Sequence, residues 1–503
     1  MQKKVFKIKN IILFISLLFV LVFIQYGVYV FAKYNIPIYE DTEYGLIHLN
    51  KITEQFFTNV YHGRFISNAI TCILGSILPK LLNIHPIAFY QYVAPFIKGG
   101  FLFILFSQIC GFLYRNKQKD FFLPVLIFFL YIQYQYIFQY RYQDVEYSSF
   151  YGFIFPFIFF NLFWNKFITS LEKDLISKKD KILLVLYAFL CGISTEFTNI
   201  VTFISLFIIF CFNKRLLKIY FYPFFVMITG MLLYYTNPGF IKILNEHPPL
   251  FFNLNREFFI HLKPFLFSVF DVIIKEYLFF LFFITVLLFL IIKKYGKKEK
   301  NSIIISLSLL FGGLLFSFFL MENPELTPDK NYYTYHFDLV IQYKILFIIL
   351  IFYLLNCLKL NIVNEKLLLF IIMLFTVKYE LNITNNTFLT EIFTFGYPIK
   401  KDSSEYKNCT ERYIYEKINL WYMKNKGKII SIQNKPNQCY FRSGENETIY
   451  MLYVFNLNKK NYNIIHFNNI EEAYNQYLKD GGTEIENKEI LNCNFQSLLI
   501  QEN

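Results

Sequence analysis

Three carboxylates lie close together just after the first long apolar segment of the chain. Glu40, Asp41 and Glu43 occur in the sequence IPIYEDTEYG, and Arg64 follows in YHGRF, where the chain becomes apolar again. Moving a sugar from a lipid phosphate needs a carboxylate to accept a proton, and further carboxylates can hold Mg²⁺ or Mn²⁺ against the departing phosphate. A guanidinium binds phosphate with bidentate, permanently charged hydrogen bonds. The residue types predict Asp41 and Glu40 as catalytic and metal-binding acids and Arg64 as the donor-phosphate ligand.

Other charged residues are candidates for the same site. Arg141 and Lys242, each at the predicted outer end of a span, could also bind the phosphate, and Glu146 and Glu196 are further candidate acids. An ionisable residue at membrane depth is costly unless it is paired or faces a polar cavity. These charged residues also have purely structural interpretations. Glu196 could be the polar tip of a tight hairpin, and the Arg64 side chain could simply extend to the lipid headgroups. The first-loop acids could merely keep that loop soluble.

The elements that position these residues are predicted to be membrane helices. Hydrophobic residues make up 55% of the 503 positions, with 65 Phe and 40 Tyr, and apolar runs of roughly 20 residues recur from residue 11 to about residue 380. The fold class predicted for residues 1–380 is therefore an all-α polytopic membrane protein with about eleven transmembrane helices. Glycines inside these spans are expected to allow close helix contacts: Gly99, Gly100, Gly312 and Gly313. The predicted spans are 11–32, 87–113, 121–140, 148–166, 181–195, 197–212, 216–236, 265–292, 302–321, 337–358 and 366–379.

The positions of the basic residues predict the orientation of the spans. The net charge of +13 comes largely from short segments between apolar runs, such as RNKQKD and KKYGKKEK, which is the pattern of cytoplasmic loops. This pattern excludes a nucleic-acid partner. All the basic loops fall on one side if Phe65–Leu82 does not cross the membrane, although one misjudged hairpin elsewhere would have the same effect. The N-terminus is then cytoplasmic, and residues 33–64 form the first outer loop.

The composition changes after about residue 380, where Asn, Lys, Glu and Tyr replace Phe and Leu. Residues 381–503 are predicted to form a small extracytoplasmic α+β domain. Its sequence KNCTERYIYEKINLWYMKNKGKIISI indicates a helix followed by a strand, and IEEAYNQYLKDGG indicates a second helix closed by Gly481. A bridge between Cys409 and Cys439 is possible outside the cytoplasm and would leave Cys493 unpaired.

Four short motifs carry a resemblance to a known family. The acidic sequence YEDTEY, the element YHGRF, the step GISTE and the turn YYTNPGF resemble those of poorly characterised bacterial membrane glycosyltransferases of the C superfamily, over residues 1 to about 340. Two positions differ from that pattern: Glu40 stands where an Asp-Asp pair is commoner, and Phe240 stands where a polar residue usually follows the PG.

The resemblance implies a function at the bacterial inner membrane. It implies metal-assisted, inverting transfer of a sugar from a polyprenyl-phosphate donor to an extracytoplasmic glycan, lipid or protein, with Asp41 matching the first-loop acid of the family. The alternatives are an O-antigen-type polymerase or ligase, a transporter or flippase of lipid-linked glycans, and a non-catalytic scaffold of the envelope. The late outer segment MENPELTPDKNYYTYHFD contains no Arg, which disfavours the polymerase.

The predicted orientation can be checked with reporter fusions. A reporter that is active only in the periplasm, fused after Leu381, should be active, because the basic loops place the tail on the outer side. Activity of a cytoplasm-only reporter at the same position would invert the assignment from Phe65 onward.

Overall fold

The structure is a computed structural model, and it is mostly helical. It describes residues 2–34, 64–84, 89–114, 122–137, 150–172, 177–246, 277–319, 337–360 and 366–371, together with parts of 414–432 and residues 463–485 in the tail.

Thirteen α-helices with described bounds precede the tail, and residues 366–371 are also helical. They are α1 (Gln2–Tyr34), α2 (Phe65–Cys72), α3 (Leu78–Leu82), α4 (Ala94–Leu113), α5 (Phe122–Ile137), α6 (Pro156–Leu171), α7 (Lys178–Gly192), α8 (Glu196–Phe212), α9 (Lys214–Tyr235), α10 (Pro238–Glu246), α11 (Leu278–Tyr295), α12 (Lys300–Phe319) and α13 (Phe337–Cys357). Three wider π-helical turns interrupt or precede them: π1 (Ile73–Ile77), π2 (Phe89–Val93) and π3 (Phe150–Ile154).

Five helical segments are long and apolar enough to cross a membrane. They are Ile8–Tyr29, Ala94–Leu113, Phe150–Leu171, Lys214–Tyr235 and Leu278–Tyr295. Five further apolar helices are shorter in the described residues: Phe65–Gly75, Phe122–Ile132, Glu196–Phe212, Lys300–Phe316 and Ile341–Cys357. The prediction of a helical membrane protein is thus confirmed at this coarser level, and the count of about eleven spans stays a prediction.

The prediction that the apolar run around GISTEF is two helices is confirmed. Helix α7 ends at Gly192 and α8 begins at Glu196. The amide of Ile193 still bonds the carbonyl oxygen of Phe189 at 3.0 Å, and Thr195 then takes an extended conformation that starts the new helix.

Helices α8 and α12 run in opposite directions between the two ends of the bundle. The hydroxyl of Ser205 in α8 donates to the carbonyl oxygen of Ser308 in α12 at 3.0 Å, while Gly312, one turn later in α12, lies against Val201, one turn earlier in α8. The two helices are therefore antiparallel. As a result, the α8–α9 and α11–α12 connections lie at the same end.

We call that end, where the basic connections lie, the basic end of the bundle. Lys166 near the end of α6 pairs there with Asp180 at the start of α7. The ammonium of Lys294 in α11 donates to the carbonyl oxygen of Leu358 after α13 at 2.9 Å. The arrangement agrees with basic loops that share one side.

The opposite end, which we call the site end, holds the start of α4 and the end of α1. The ring of Phe96 in α4 stacks on Tyr29 in α1 with 6.4 Å between the centroids. Arg64, which precedes α2, lies at the same end over the ring of Phe153 in π3. The segment Phe65–Leu82 thus starts at the site end, and the chain resumes there with π2. This geometry favours the interpretation in which the segment does not cross.

Glycines allow close contacts between helices, and this prediction is confirmed for three of the four glycines for which it was made. A Cβ atom on Gly99 would lie 2.8 Å from Gln25 in α1, one on Gly312 would lie 3.0 Å from the carbonyl oxygen of Val201, and one on Gly313 would lie 2.8 Å from Leu346. The prediction for Gly100 is wrong, because among the described residues nothing lies within 4 Å of such an atom.

The tightest helix crossing joins α7 and α9 through glycines that the sequence did not single out. A Cβ atom on Gly230 would lie 2.9 Å from the carbonyl oxygen of Phe189 in α7 and 3.1 Å from a methyl group of Ile193. Gly192 in turn lies against the backbone of Met227. The two backbones touch without intervening side chains, which fixes the position of the α7–α8 break.

The tail contains the predicted strand and second helix. Strand β1 (Lys428–Ile432) pairs in parallel with β2 (Asn463–Phe467), and α14 (Ile470–Lys479) follows with Asn469 as its N-cap. Gly481 adopts φ +100° after this helix, which confirms its predicted left-handed role. The extent of an independent domain over 381–503 stays a prediction, and Cys409, Cys439 and Cys493 lie outside the described residues.

A polar contact joins the two parts of the tail. The hydroxyl of Tyr422 donates to the carboxylate of Asp480 at 2.8 Å, and Lys426 lies 3.6 Å from the same oxygen. The hydrogen bond from Tyr422 is the main cause of the lowered pKa of Asp480. Burial, with the same bond as second cause, raises the pKa of Tyr422.

The α7–α9 crossing generates a stability prediction. Gly230→Val should destabilise the bundle by about 1–3 kcal/mol, because the added methyl groups must separate two backbones in contact. The matched control is Gly100→Val, which has the same helix-propensity cost and meets an open space. Denaturant unfolding of the purified protein in detergent, followed by circular dichroism, would measure both. Equal losses of stability in the two variants would contradict the close-packing argument.

Candidate functional site

Most of the predicted site residues lie outside the described part of the chain. These are Glu40, Asp41, Glu43, Arg141 and Glu146. The backbone of Lys242 lies in α10, and its side chain is not described. Their predicted roles stay predictions. The two remaining candidates, Arg64 and Glu196, are described.

Arg64 and Glu196 are brought together at the site end. The Nε atom of Arg64 lies 3.7 Å from the Oε2 atom of Glu196, although the two residues are far apart in sequence. Arg64 is only 8% exposed, and the Glu196 side chain is 22% exposed. A charge in such surroundings is tolerated when it is paired, and this ion pair meets that requirement for both groups.

The guanidinium of Arg64 is held between an aromatic ring and a glycine. Its Cζ atom lies 4.2 Å from the ring centroid of Phe153, which is the geometry of a cation–π contact. On Gly152, the preceding residue, a Cβ atom would lie 2.9 Å from the Nη1 atom of Arg64. Any larger residue at this position would push the guanidinium away. Turn π3 therefore fixes where Arg64 lies, and it leaves room for arginine only because Gly152 has no side chain.

Glu196 is positioned by the start of α8. It is the first residue of that helix, where the backbone amides favour a negative charge. One turn further, Asn199 is fully buried and donates from Nδ2 to the carbonyl oxygen of Gly192 at 3.2 Å. This bond ties the start of α8 back to the end of α7, so the carboxylate is held by the same break that the Gly192 and Gly230 contact fixes.

Two tyrosines at the end of α9 complete the surroundings of Glu196. The hydroxyl of Tyr235 donates to Oδ1 of Asn199 at 2.9 Å. The hydroxyl of Tyr234 lies close to the Glu196 carboxylate and within electrostatic reach of Arg64. Within the described residues it makes no hydrogen bond of ordinary geometry. Two phenol donors thus lie beside the ion pair.

The turn TNPGF supports these tyrosines. The side-chain oxygen of Asn237 accepts a hydrogen bond from the backbone amide of Gly239 at 2.8 Å. This bond closes the turn at the start of α10. The ring of Phe240 packs on Tyr234 and Tyr235, with centroid distances of 5.5 and 4.9 Å. An apolar residue after the PG is explained by this contact, because the ring holds the tyrosine pair in place.

Sequence reasoning missed two buried lysines. Lys98 in α4 is 2% exposed and Lys344 in α13 is 1% exposed. The ammonium of Lys98 lies 5.9 Å from the ring centroid of Phe150 in π3, and α13 packs against both π3 and α4. The available signal was a basic residue inside an apolar run, in APFIKGGFLF and IQYKILF. A charged side chain at membrane depth is energetically costly, and this argument, which made Glu196 a candidate site residue, applies equally to both lysines.

The described residues do not by themselves form a metal site. They contain no group of three or more His, Cys, Asp or Glu side chains close enough to hold an ion. Among the described residues, Glu196 pairs with Arg64, and the cationic neighbour would oppose a divalent ion. The predicted ligands Glu40 and Asp41 lie outside this part of the chain, so the binding of Mg²⁺ or Mn²⁺ by these two residues stays a prediction.

The arrangement is suited to bind an anion next to hydroxyl groups. Arg64 and Lys98 supply positive charge near π3, Tyr234 supplies a neutral donor, and Glu196 holds Arg64 in position. Burial strengthens each of these interactions, because little water competes. Phosphate is the common biological anion that an arginine binds in this way.

Comparisons of the chain with family models, curated proteins and solved structures gave no match. The functional assignment therefore depends on the residues and geometry described above.

Proposed function

We propose that this protein is a membrane glycosyltransferase that moves a sugar from a polyprenyl-phosphate-linked donor to an extracytoplasmic glycan, lipid or protein. The observation that carries the proposal is the buried Arg64–Glu196 pair at the site end of the bundle. A phosphate attached to a lipid needs a permanently charged ligand near the membrane surface. Arg64 has that charge and is anchored by a carboxylate, a ring and a backbone contact.

The proposed reaction is a displacement at the anomeric carbon of the sugar. The acceptor hydroxyl attacks this carbon, the bond from the carbon to the phosphate oxygen breaks, and the lipid phosphate leaves with the electron pair. The proton of the hydroxyl passes to a carboxylate, for which Asp41 is the predicted group. Arg64 stabilises the negative charge that grows on the phosphate, which is the largest effect such a site offers.

The roles of Glu196 and the tyrosines follow from their positions. Glu196 is occupied by its ion pair, so we assign it to the orientation of Arg64 rather than to proton transfer. Tyr234 is an amphipathic donor beside the proposed phosphate position, and Tyr235 holds Asn199 at the start of α8 through its hydrogen bond. Arg141, Lys242, Glu43 and Glu146 keep their predicted auxiliary roles in the same proposal.

The proposed membrane arrangement is about eleven helices with the site end on the outer side of the bacterial inner membrane. It is supported by the basic loops, which share the opposite end, since cytoplasmic loops are enriched in Lys and Arg. The N-terminus is then cytoplasmic and residues 381–503 are extracytoplasmic. The acceptor reaches the site from the outer side, as envelope polysaccharides require.

A flippase of lipid-linked glycans is the second candidate. The observation that favours it is the burial of Lys98 and Lys344 within the bundle, because intramembrane charges also line the pathways of transporters. Such a protein would bind the same lipid phosphate without breaking the bond to the sugar. The two candidates are separated by whether radiolabelled sugar moves to a new acceptor or only changes leaflet.

The role of Arg64 predicts the effect of a conservative substitution. Arg64→Lys keeps the charge and the ability to reach the headgroups but loses the fork that binds two phosphate oxygens. Transfer efficiency should fall about 10- to 100-fold, as expected for a lost charged hydrogen bond of about 1.5–3 kcal/mol. The matched control is Arg215→Lys, on the exposed basic-end part of α9. Unchanged transfer by the Arg64 variant would remove this residue from the site.

The predicted base is tested by Asp41→Asn, which keeps shape and hydrogen bonding but removes the proton acceptor. Transfer should fall by about 10² to 10⁴, the usual contribution of a general base, while the amount of protein in the membrane should not change. Lipid-linked and surface glycans of a deletion strain would be compared after complementation with either form. Full restoration by the variant would contradict the role of Asp41, and identical glycans in deletion and wild type would contradict the proposed function.

A further inference from the structure

The connection between α11 and α12 carries a strong positive charge at the basic end of the bundle. Its sequence KKYGKKEK, residues 293–300, contains five lysines and one glutamate. The connection is short, because α11 ends at Tyr295 and α12 begins at Lys300 after a single 3₁₀-helical turn. The positive charge is therefore concentrated in a small region at this end.

The glutamate of this connection is balanced by a lysine from another part of the chain. One carboxylate oxygen of Glu299 accepts a hydrogen bond from the ammonium of Lys359, which follows α13, at 2.9 Å. The other oxygen accepts from the hydroxyl of Ser302 in α12 at 2.8 Å. Both oxygens of Glu299 are thus engaged, and the charge of the five lysines is not offset within the connection.

Hydrogen bonds fix the connection against the end of α13. The ammonium of Lys294 and the hydroxyl of Tyr295 both donate to the carbonyl oxygen of Leu358, at 2.9 and 2.7 Å. The ammonium of Lys294 also lies 4.9 Å from the ring centroid of Tyr295. These contacts hold the turn in place, whereas the side chains of Lys293 and Lys300 are exposed on its surface.

Lys293 lies at the end of an exposed apolar face of α11. Phe282, Val286 and Phe289 precede it at spacings of three or four residues, so the four side chains share one face of the helix. The two rings are 60% and 62% exposed. From Phe282 to Lys293 the helix rises about 16 Å, close to the ~15 Å that one leaflet contributes to the hydrocarbon core. This face has the length of an acyl chain and a cation at its end.

The chemistry of this surface fits a phospholipid with an anionic headgroup. Such a lipid presents its negative charge at the membrane surface, where lysines next to a membrane helix attract it. Its acyl chains lie along the apolar face of the protein. A zwitterionic lipid has no net charge for the lysines to attract, and a soluble phosphate has no chain to cover the apolar face.

We propose that the α11–α12 connection binds anionic phospholipids of the leaflet at the basic end. Lys293 and Lys300 contact the headgroup, and the exposed face of α11 contacts an acyl chain. The proposal does not rest on sugar transfer, because the surface lies at the end of the bundle opposite to Arg64 and Glu196.

The test is lipid binding to the purified full-length protein in detergent, measured by native mass spectrometry. The probes are anionic dioleoyl phosphatidylglycerol, zwitterionic dioleoyl phosphatidylcholine and soluble glycerol 3-phosphate. Wild type should bind the anionic lipid at least about 10-fold more tightly than the zwitterionic lipid, since each cation near the headgroup contributes about 1 kcal/mol, a factor of about 5. Glycerol 3-phosphate should bind more weakly than the anionic lipid, because it lacks acyl chains.

Substitution of the two exposed lysines assigns the preference to this connection. Lys293→Gln together with Lys300→Gln should weaken binding of the anionic lipid about 10- to 30-fold, whereas arginine at both positions should preserve it. The matched control is Lys178→Gln together with Lys179→Gln, which removes two exposed cations at the start of α7. The segment around them, LEKDLISKKDK, has four lysines and three acids, so its loss of affinity should be smaller.

Photo-crosslinking to wild type gives a second readout that does not depend on the folding of a variant. Phosphatidylglycerol with a photoactivatable group in its headgroup should label the peptide that contains residues 293–300. Phosphatidylcholine with the same group should label this peptide less at equal concentration.

Four outcomes would overturn the proposal. Equal affinity of wild type for the two lipids excludes a preference for anionic headgroups, and equal losses in the two double glutamine variants show only a general attraction of the basic end. Glycerol 3-phosphate that binds as tightly as the anionic lipid excludes a lipid partner. Crosslinks confined to other peptides exclude this surface. Because sugar transfer is assigned to the site end, each of these results would leave the proposed function standing.

Discussion

The cost of placing charge inside an apolar helix bundle is the constraint on which this site depends. Arg64 is 8% exposed, and an isolated guanidinium there would be expensive. Its pair with Glu196 at 3.7 Å meets part of that cost, and removal of one partner from a buried pair typically costs about 3–5 kcal/mol. The pair also joins α2, π3 and α8, which are distant in sequence. One interaction therefore makes the charges tolerable and brings the segments of the site together.

The surrounding structure serves to keep that pair in register. Gly192 and Gly230 let α7 and α9 touch, which places the end of α9 beside the start of α8. Tyr235 and Asn199 then connect these ends through hydrogen bonds. The electrostatic arrangement is thus a consequence of backbone packing between small residues, as is usual for helices whose exteriors are uniformly apolar.

Much of the fold could be predicted from the sequence, because apolar runs and basic loops are strong signals in a membrane protein. The break before Glu196, the strand at Lys428 and the helix closed by Gly481 were all predicted from local patterns. The pairing of Arg64 with Glu196 could not be predicted, since ion pairing across more than a hundred residues leaves no local trace. Lys98 and Lys344 were missed because single lysines in long apolar runs do not alter the hydrophobic pattern. The prediction of a close helix contact at Gly100 was wrong because the side on which a helix meets its neighbour depends on tertiary packing.

The π3 turn has a consequence for how the sequence of this region can change. A π-helical turn holds one residue more than an α-helical turn, and each residue of a helix advances its phase by about 100°. A single deletion within Phe150–Ile154 would let the segment close as ordinary α-helix. The face carrying Phe150 would then rotate relative to α6, whose buried Trp164 donates a hydrogen bond to Thr202 in α8. Turn π3 and α6 can keep their present faces only while that extra residue is retained, so a change in length within this segment should be more disruptive than a substitution away from Gly152 and Phe153.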